Sequence, residues 1–453
     1  MLDESKIENV ALRRSIEHLH GPEDIPYGEK ELVGVCIVRD GRPYVRAFIE
    51  HYFSLGVKHI AFLDNNSTDG TVDVLKEYDN VTVLRTKLPY KASGETTGNG
   101  WTREVLFKQY MIDRFGKKNR WCLCADIDEL FDYPYSDIIG LDSLLSYLNS
   151  KEYTAVAAQM LDMFPEKPLS GRGIEADEPL KEAHAFCDFS NLRRGRDLTR
   201  HADERNNVLD NEQIESFRGG IRNTVFGTLP YLTKFPLVFL DNRIRPMDGS
   251  SHRVSSARIA DITCVIFHYK FVDQHFQAQV AQAVEEEHRL LNSAIYKKYS
   301  EVLSNTPKLQ IRQETSREIH SVADLLDNQF LVVSIDYVDW VNAEEERSVL
   351  GTEAAESHWL AEALLRSRRR ERDRVLVVQR LESTLRDRNR EIRKLRRAQR
   401  RRSNGEQRER LQRARRQNRE LQRQLKSIRT SRAWRLMEAL RRLKMRIPIL
   451  GRR

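Results

Sequence analysis

The first third of the chain alternates continuous apolar runs with segments in which apolar residues recur at helical spacing. The runs predict buried strands at residues 32–38, 59–63, 81–84 and 121–125. The helical segments that join them lie at residues 43–55, 71–78 and 101–115. Because short β-α-β connections lead to parallel strands, this order predicts an α/β fold with a mostly parallel sheet covered by helices.

Three later apolar runs, at residues 155–160, 237–240 and 262–267, are expected to extend the same sheet. Residues 170–230 are polar and rich in Arg, Gly and Asn. We interpret them as a functional excursion, because long loops in compact domains usually carry a function. Residues 1–30 are polar and predict a loose lead-in.

The pattern changes near residue 350, where the chain becomes charged and helix-favouring. Two blocks carry heptads, and their phase breaks at Ser403-Asn404-Gly405. The a and d residues are Val378, Leu381, Leu385, Ile392 and Leu395 in the first block and Leu411, Ala414, Asn418, Leu421, Leu425 and Ile428 in the second. This pattern predicts a parallel coiled coil that forms a homodimer, and a single solvated, Arg-rich helix is the alternative.

Charge is unevenly divided along the 453 residues. Of 76 Lys and Arg and 67 Asp and Glu, residues 361–453 hold 34 and 10, so their net charge is +24 and that of residues 1–360 is −15. The last segment, 431–453, predicts a basic amphipathic helix suited to an anionic membrane surface. Its apolar face is formed by Trp434, Met437, Leu440 and Leu443. Nucleic acid is a less suitable partner, because the tail lacks interleaved aromatic residues for base stacking.

These changes in composition predict five segments in a chain long enough for two or three domains. They are a lead-in at 1–30, an α/β domain at 31–300, a linker or helical extension at 301–350, a coiled coil at 351–430 and a basic amphipathic tail at 431–453.

Cysteine use and hydropathy both bear on where the protein works. Four of the five cysteines lie in apolar strand-like runs, a placement typical of small buried hydrophobes in a reducing compartment. No run of about 18 apolar residues is present, and the first residues lack the apolar core of a signal peptide. We therefore expect a cytoplasmic protein, or one peripheral to the inner face of the cytoplasmic membrane.

The most informative motif follows the strand at 121–125, where Asp126, Asp128 and Glu129 come in quick succession. Acids grouped at the end of a buried strand repel one another and lose hydration, so a cation is expected to compensate them. A divalent metal suits carboxylate oxygens, and strand ends are where open α/β sheets bind ligands. We expect a metal that holds a phosphorylated substrate, and solvated loop acids or helix caps are the alternative.

Five motifs occur in order along residues 32–276. They are Val35–Asp40, Phe48–Val57, Asp64–Thr71, Ala125–Phe131 and His268–Phe271. Together they resemble a GT-A glycosyltransferase of the family 2 type, in its bacterial branch, and Ser431–Leu436 resembles the tails of bacterial enzymes that build sugar polymers. The resemblance implies that the domain at 31–300 has the GT-A fold. It also implies transfer of a sugar from a nucleotide-sugar donor, UDP- or GDP-linked, to a glycan or another acceptor hydroxyl.

The resemblance assigns roles to particular residues. Asp126 is expected near the ribose and the metal, Asp128 on the metal, and His268 as the distant histidine that completes the metal shell, with Mn²⁺ or Mg²⁺ as the ion. Asp64 is expected to contact the nucleotide base. Arg39, where the family usually has Asn-Glu, is expected to meet the phosphates. The alternatives are a backbone-bonded strand-end histidine for His268 and a turn former for Asp64.

Transfer in this family inverts the anomeric carbon in a single displacement, so a base must take the proton of the acceptor hydroxyl. The candidates are Asp162, which directly follows a strand, and Glu215, and a turn-capping loop acid is the alternative for Asp162. Arg218, Arg222 and Lys234 are expected to gather on the acceptor or the diphosphate, or else to be solvated.

The leading interpretation is a metal-dependent, inverting glycosyltransferase that acts in surface polysaccharide or glycan synthesis. The alternative is a catalytically degenerate domain kept as a coiled-coil scaffold at the membrane. A dehydrogenase is disfavoured, because the first strand leads into Arg39–Pro43 without the Gly-x-Gly-x-x-Gly turn that admits a pyrophosphate.

Overall fold

The computed structural model describes residues 4–88, 103–169, 179–198, 206–248, 250, 252–285, 293–350, most of 375–394, and 405–430. Contacts divide the chain into two compact units, Met1–Val332 and Val333–Arg453.

The strands are β1 Glu17–His20, β2 Val33–Val38, β3 His59–Asp64, β4 Val81–Arg85, β5 Trp121–Cys124, β6 Glu129–Asp132, β7 Ala155–Phe164, β8 Phe186–Cys187, β9 Leu192–Gly195, β10 Val208–Leu209, β11 Ser216–Gly219, β12 Thr233–Phe239, β13 Arg245–Pro246, β14 Val254–Ser255, β15 Arg258–His268 and β16 Arg317–Glu318. The strands predicted before residue 130 correspond to β2, β3, β4 and β5 and are confirmed. The three later apolar runs correspond to β7, β12 and β15.

The helices are α1 Glu4–Ser15, α2 Arg42–Ser54, α3 Thr71–Leu75, α4 Arg103–Phe115, α5 Leu141–Ser150, α6 Leu180–Ala183, α7 Ile221–Phe226, α8 Asp273–Glu285, α9 Ser293–Asn305, α10 Val322–Asp327, α11 Ile335–Leu350 and α12 Gly405–Thr430. The predicted helices at 43–55, 71–78 and 101–115 correspond to α2, α3 and α4. Of these, α3 is shorter than predicted, since it ends at Leu75.

Among the described residues, twelve strands form one mixed sheet with the main order β1-β4-β3-β2-β5-β12-β7-β15-β10. Strands β4, β3, β2 and β5 are mutually parallel, as the β-α-β order predicts. Strand β12 runs antiparallel to both β5 and β7, and β6 adds antiparallel to β15. The expected extension of the sheet is therefore confirmed, and the extension is mixed rather than parallel.

Helices cover both faces of the parallel half of the sheet. Val33 and Val35 of β2 lie in one buried cluster with Met111 of α4. On the other face, Phe48 of α2 meets Phe62 of β3 edge-to-face with ring centroids 5.7 Å apart. Because every residue of β2 and β3 is buried, these strands are continuous apolar runs, as expected for a sheet covered on both sides.

The N-terminal segment differs from the loose lead-in predicted for residues 1–30. Within it, α1 buries Leu12, and β1 pairs antiparallel with β4, placing Glu17 opposite Arg85. An edge strand is held by main-chain hydrogen bonds on one side and needs few apolar residues, so its polar sequence gave no strand signal.

The boundary of the first unit also differs from the predicted segments at 31–300 and 301–350. The first unit extends to Val332, and α9 and α10 belong to it. Thr263 of β15 accepts a hydrogen bond from the Val332 amide and donates its own amide to the Val332 carbonyl, both at 2.8 Å. The chain after residue 300 thus returns to the sheet, which the local pattern could not reveal.

In the second unit, the two heptad blocks contact each other within one chain. Seam residues from both blocks are buried, namely Val378, Leu381, Ile392, Leu411, Ala414, Leu421 and Leu425. Asn418 donates to Asn389 at 3.2 Å, and Arg429 pairs with Glu382. The later residue of the second block therefore contacts the earlier residue of the first block. This is antiparallel pairing, whereas the heptads predicted parallel strands between two chains. A heptad pattern specifies which face of a helix is buried, but it does not specify whether the paired helices run parallel or antiparallel.

We expect cross-linking to separate these two arrangements. In the double variant Glu382→Cys/Arg429→Cys, a short bis-maleimide should join the two cysteines within one chain, and mass spectrometry should find the linked peptides in monomers. The single variant Leu385→Cys is the control, because Leu385 is an a position and its two copies would face each other in a parallel dimer. Efficient covalent dimers of that single variant would contradict the antiparallel pairing.

Two further expectations can be compared with the described residues. All five cysteines are buried and unpaired, which agrees with their interpretation as small hydrophobes. Among the helices that the structure describes, none has both the length and the hydropathy needed to cross a bilayer. The basic segment 431–453 lies outside the described residues, so its binding to an anionic membrane stays a prediction.

Candidate functional site

Three neighbouring strands bring acidic and histidine side chains into one row. In the register of the sheet, His268 at the end of β15 lies beside Glu129 of β6 on one side and beside Asp162 of β7 on the other. Asp126 and Asp128 lie in the turn between β5 and β6, next to this row. The cluster is therefore at the carboxyl-end edge of the parallel strands, where open α/β sheets bind ligands.

The acidic turn is held from two sides by hydrogen bonds to its main chain. The buried hydroxyl of Tyr52 in α2 donates to the Glu129 carbonyl and accepts from the Phe131 amide, each at 2.9 Å. The Tyr269 amide, one residue after β15, donates to the Asp128 carbonyl at 2.8 Å. Helix α2 and strand β15 thus fix the position of the acids before any ligand binds.

Asp126 is neutralised by two buried lysines. Lys108 of α4 lies 2.6 Å from its Oδ1, and Lys234 of β12 lies 2.7 Å from its Oδ2. Burial opposes the charged form of Asp126, but the two ammonium groups outweigh burial and lower the pKa of the carboxyl. Both lysines are less than one-tenth exposed, so these pairs are shielded from solvent.

Glu129 shares one of the same lysines. Lys234 lies 2.5 Å from Glu129 Oε1, yet burial of this carboxyl dominates and raises its pKa. A cation was expected to compensate these acids, and for Asp126 and Glu129 lysines of α4 and β12 supply positive charge, while a divalent metal at the cluster stays a prediction. The fold therefore needs no ion to tolerate these two acids.

Asp162 is held by two partners rather than facing solvent. Arg222 donates to it through Nε at 2.7 Å and Nη2 at 2.8 Å, and His268 Nδ1 lies 2.6 Å from its Oδ1. Burial opposes ionisation, but Arg222 and His268 outweigh it and lower the pKa of Asp162. A carboxylate with a lowered pKa is a weak general base, so this geometry favours Asp162 as the group that orients His268.

His268 links the two acids on either side of it. Its Nδ1 faces Asp162, and its Nε2 lies 3.3 Å from Asp128 Oδ2. Burial disfavours the imidazolium, but the two carboxylates outweigh burial and raise the pKa of His268. Burial likewise opposes the charged form of Asp128, and His268 reverses this and lowers its pKa to about 2. The alternative of a histidine bonded to backbone is wrong, because side chains face both ring nitrogens.

The described residues contain one trio with the geometry of a metal site. Ligand atoms of Asp128, Glu129 and His268 all lie within 4.8 Å of one another. From the sequence, Asp126 rather than Glu129 was expected to bind the metal with Asp128 and His268. Asp126 is outside the trio, and lysines hold both of its carboxylate oxygens, whereas Glu129 pairs with a lysine through Oε1 alone. Two carboxylates and an imidazole form a donor set that suits Mn²⁺.

The loop after β3 combines a turn with an ion pair. Asp64 is fully buried, accepts the Ser67 amide at 3.1 Å and pairs with Arg85 at 2.7 Å, so it acts as a turn former. Its contact with a nucleotide base stays a prediction. Arg39 follows β2 at the same edge of the sheet, and its side chain is 46% exposed beside Asp40. Arg39 is therefore accessible to a phosphate from solvent.

Glu215 lies on a separate two-stranded ribbon formed by β9 and β11. Its carboxylate is 3.9 Å from Arg194 and 3.6 Å from Arg196. Arg218 of the same ribbon is half exposed and pairs with Asp197 at 3.3 Å. In the described part of the chain, ion pairs tie Glu215 to these arginines, whereas Asp126, Asp128, Asp162 and His268 come together in the cluster.

Sequence reasoning missed Lys108 and the partners of two cations. Lys108 lies three residues after Val105 and three before Met111, on the apolar face of α4, and a lysine at such a position signals a buried ion pair. Arg222 and Lys234 were singled out as cations for a substrate. Their acidic partners are 60 and 108 residues away along the chain, so local spacing could not identify them.

No protein-family profile matches the chain, and no curated protein matches it closely enough to indicate a relative.

Proposed function

We propose that the chain is a GT-A glycosyltransferase that moves a sugar from a nucleotide-sugar donor to an acceptor hydroxyl. The observation that carries this proposal is the line of side chains from Asp162 through His268 to Asp128. When a carboxylate accepts the Nδ1 proton of a histidine, it fixes the tautomer and leaves the Nε2 lone pair for a metal ion. Here Nε2 points at a second carboxylate, which suits a divalent cation between them.

The residues of the cluster fit such a cation. Asp128, Glu129 and His268 would hold Mn²⁺ or Mg²⁺, and Asp128 is the most accessible of the three, with a side chain 19% exposed. A divalent cation, when bound there, supplies positive charge to the oxygens of the leaving nucleoside diphosphate. Binding requires the proton on Nε2 to leave, so cation affinity is expected to fall as the pH is lowered.

The remaining residues have supporting roles in this proposal. Asp162 and Arg222 hold the ring of His268, while Lys108 and Lys234 hold the carboxylate of Asp126 in the turn. In the reaction, the acceptor oxygen bonds to the anomeric carbon as the bond from that carbon to the diphosphate breaks. The acceptor proton passes to a general base, for which the sequence candidates remain a prediction.

A scaffold without catalysis is the second candidate function. The observation that favours it is the pairing of Asp126 and Glu129 with lysines, which neutralises much of the acidic cluster without any ion. A scaffold of this kind would have kept the sheet and the C-terminal heptads while losing donor binding.

Calorimetric titration of the full chain with UDP and with GDP distinguishes these candidates. We expect one of the two to bind at least tenfold more tightly with Mn²⁺ than with excess EDTA, because a cation held by Asp128, Glu129 and His268 would supply positive charge to the diphosphate. The monophosphates UMP and GMP are the matched controls and should show a smaller metal effect. If neither diphosphate binds with or without Mn²⁺, the transferase proposal fails and the scaffold is favoured.

A further inference from the structure

One buried cation beside the cluster has no acidic partner within the described ranges of the chain. Lys108, Lys234 and Arg222 each lie within 2.7 Å of a carboxylate oxygen. Lys270 is only 9% exposed, yet no ion pair joins it to a carboxylate among the residues that the structure describes. A buried ammonium without a counterion is costly, so its retention at this position calls for a reason.

Aromatic rings offset part of this cost. The Lys270 ammonium lies 5.6 Å from the ring centroids of Phe276 and Tyr296, and 5.8 Å from that of Tyr299. Such contacts attract a cation but accept none of its three N–H donors in a conventional hydrogen bond. The rings therefore hold Lys270 in place while its donors stay available to a ligand.

The ring of Tyr299 carries a second polar group without a partner. Its hydroxyl is buried in a side chain only 1% exposed and makes no hydrogen bond to the described residues. It lies near the Arg222 guanidinium, which can only donate, so the O–H of Tyr299 has no acceptor among the described residues. Buried hydroxyls usually find partners, so an unpaired one beside an unpaired ammonium points to a missing acceptor.

The position of these groups indicates which acceptor fits. Lys270 follows His268 by two residues, and the intervening Tyr269 amide is bonded to the Asp128 carbonyl. An anion on Lys270 would therefore adjoin the trio that fits a metal. A diphosphate suits this arrangement, because one end can meet the cation and the other the ammonium.

We propose that Lys270 and Tyr299 form an anion site that holds the terminal phosphate of the donor's diphosphate. This inference rests on the proposed transferase function and names the part of the donor that these residues recognise. The ammonium donates to the phosphate oxygens and the tyrosine hydroxyl adds one neutral hydrogen bond. Affinity for diphosphates over monophosphates then depends on these two side chains, neither of which is a metal ligand.

Titration of variants tests the site by comparing UDP with UMP, and GDP with GMP, in the presence of Mn²⁺. Lys270→Met should weaken diphosphate binding about 10- to 100-fold and leave monophosphate binding nearly unchanged, since it removes a charged hydrogen bond. Tyr299→Phe should weaken it by about 2- to 10-fold without lowering the thermal midpoint, because the lost hydroxyl is unpaired in the free protein. Lys298→Met is the control: it removes the same charge as Lys270→Met, at the residue next to Tyr299 on α9, and it should not weaken diphosphate binding selectively.

Two further titrations use ligands without a nucleotide: inorganic pyrophosphate with Mg²⁺, and sodium glucuronate. Pyrophosphate binding that is lost in Lys270→Met supports the site, even if UDP and GDP fail to bind and the transferase proposal falls. Diphosphate and pyrophosphate affinities equal in Lys270→Met and wild type would overturn the site while leaving the transferase proposal intact. Selective loss of glucuronate binding would also overturn it, by assigning Lys270 to an acidic sugar. If the wild type binds none of these anions, both proposals fail.

Discussion

Replacing Asp128 with asparagine is expected to abolish metal-dependent donor binding and to reduce sugar transfer by about 1,000-fold. Asparagine keeps the size of the side chain but removes the charge that faces His268 Nε2 at 3.3 Å. A divalent cation contributes several kcal/mol to stabilisation of a leaving diphosphate, and about 1.4 kcal/mol corresponds to a factor of ten. The measurements are Mn²⁺ binding by electron paramagnetic resonance and donor turnover in a screen of nucleotide sugars.

The matched control for this variant is Asp132→Asn, at the end of strand β6, which follows the acidic turn. Burial raises the pKa of Asp132 to about 6, so its charged form is less favoured than that of an exposed carboxyl and the amide is a mild change there. Wild-type turnover in Asp132→Asn with loss in Asp128→Asn would assign the effect to the metal trio. Unchanged turnover in Asp128→Asn would exclude the proposed catalytic role of the cluster.

Replacing Lys108 with methionine is expected to lower the free energy of unfolding of the first unit by about 2 kcal/mol, the size of a hydrogen bond to a charged group. The lysine is 2% exposed and lies 2.6 Å from Asp126 and 2.7 Å from Glu104. Methionine fills a similar volume, so the main loss is one of the two positive charges that compensate the partly buried Asp126 carboxylate. Urea unfolding followed by circular dichroism measures the change as a shift in the midpoint.

A double variant shows whether the lost pair is the cause. Adding Asp126→Asn to Lys108→Met removes the carboxylate that keeps only Lys234 as its cation, so part of the stability should return and the two changes should be non-additive. The surface variant Lys117→Met is the control, because its pair with the exposed Asp24 should contribute less than about 1 kcal/mol. Additive effects, or a loss below about 1 kcal/mol in Lys108→Met, would contradict the role assigned to this lysine.

Most strands of the sheet were predictable from the local pattern of apolar residues, as β2 and β3 show. Strands β2 and β3 are buried along their whole length, so they are continuous apolar runs bounded by polar turns. Strand β1 escaped prediction because it is a half-exposed edge strand of sequence Glu-His-Leu-His. The direction of β12 escaped for another reason: an apolar run has the same pattern whether its neighbours are parallel or antiparallel.

The candidate site was predictable in part. Asp126 and Asp128 stand out because charged residues directly after a buried run are expensive unless compensated. What compensates them could not be derived, since a metal ion and two lysines satisfy the same electrostatic demand. Asp162 was found as an acid near a strand end, but its role depends on Arg222 and His268, which are far from it along the chain.

The amino-acid sequence by itself determined the alternation of buried strands and amphipathic helices, the acidic turn after β5 and the basic character of the C-terminal segment. These features depend on neighbouring residues, so local hydrophobic spacing and charge specify them. Only the tertiary structure decided that Lys108 and Lys234 neutralise Asp126, that Asp162 orients His268 and that no carboxylate in the described part of the chain pairs with Lys270. Pairing between distant side chains depends on strand register and helix packing, and in those a shift of one residue exchanges every partner.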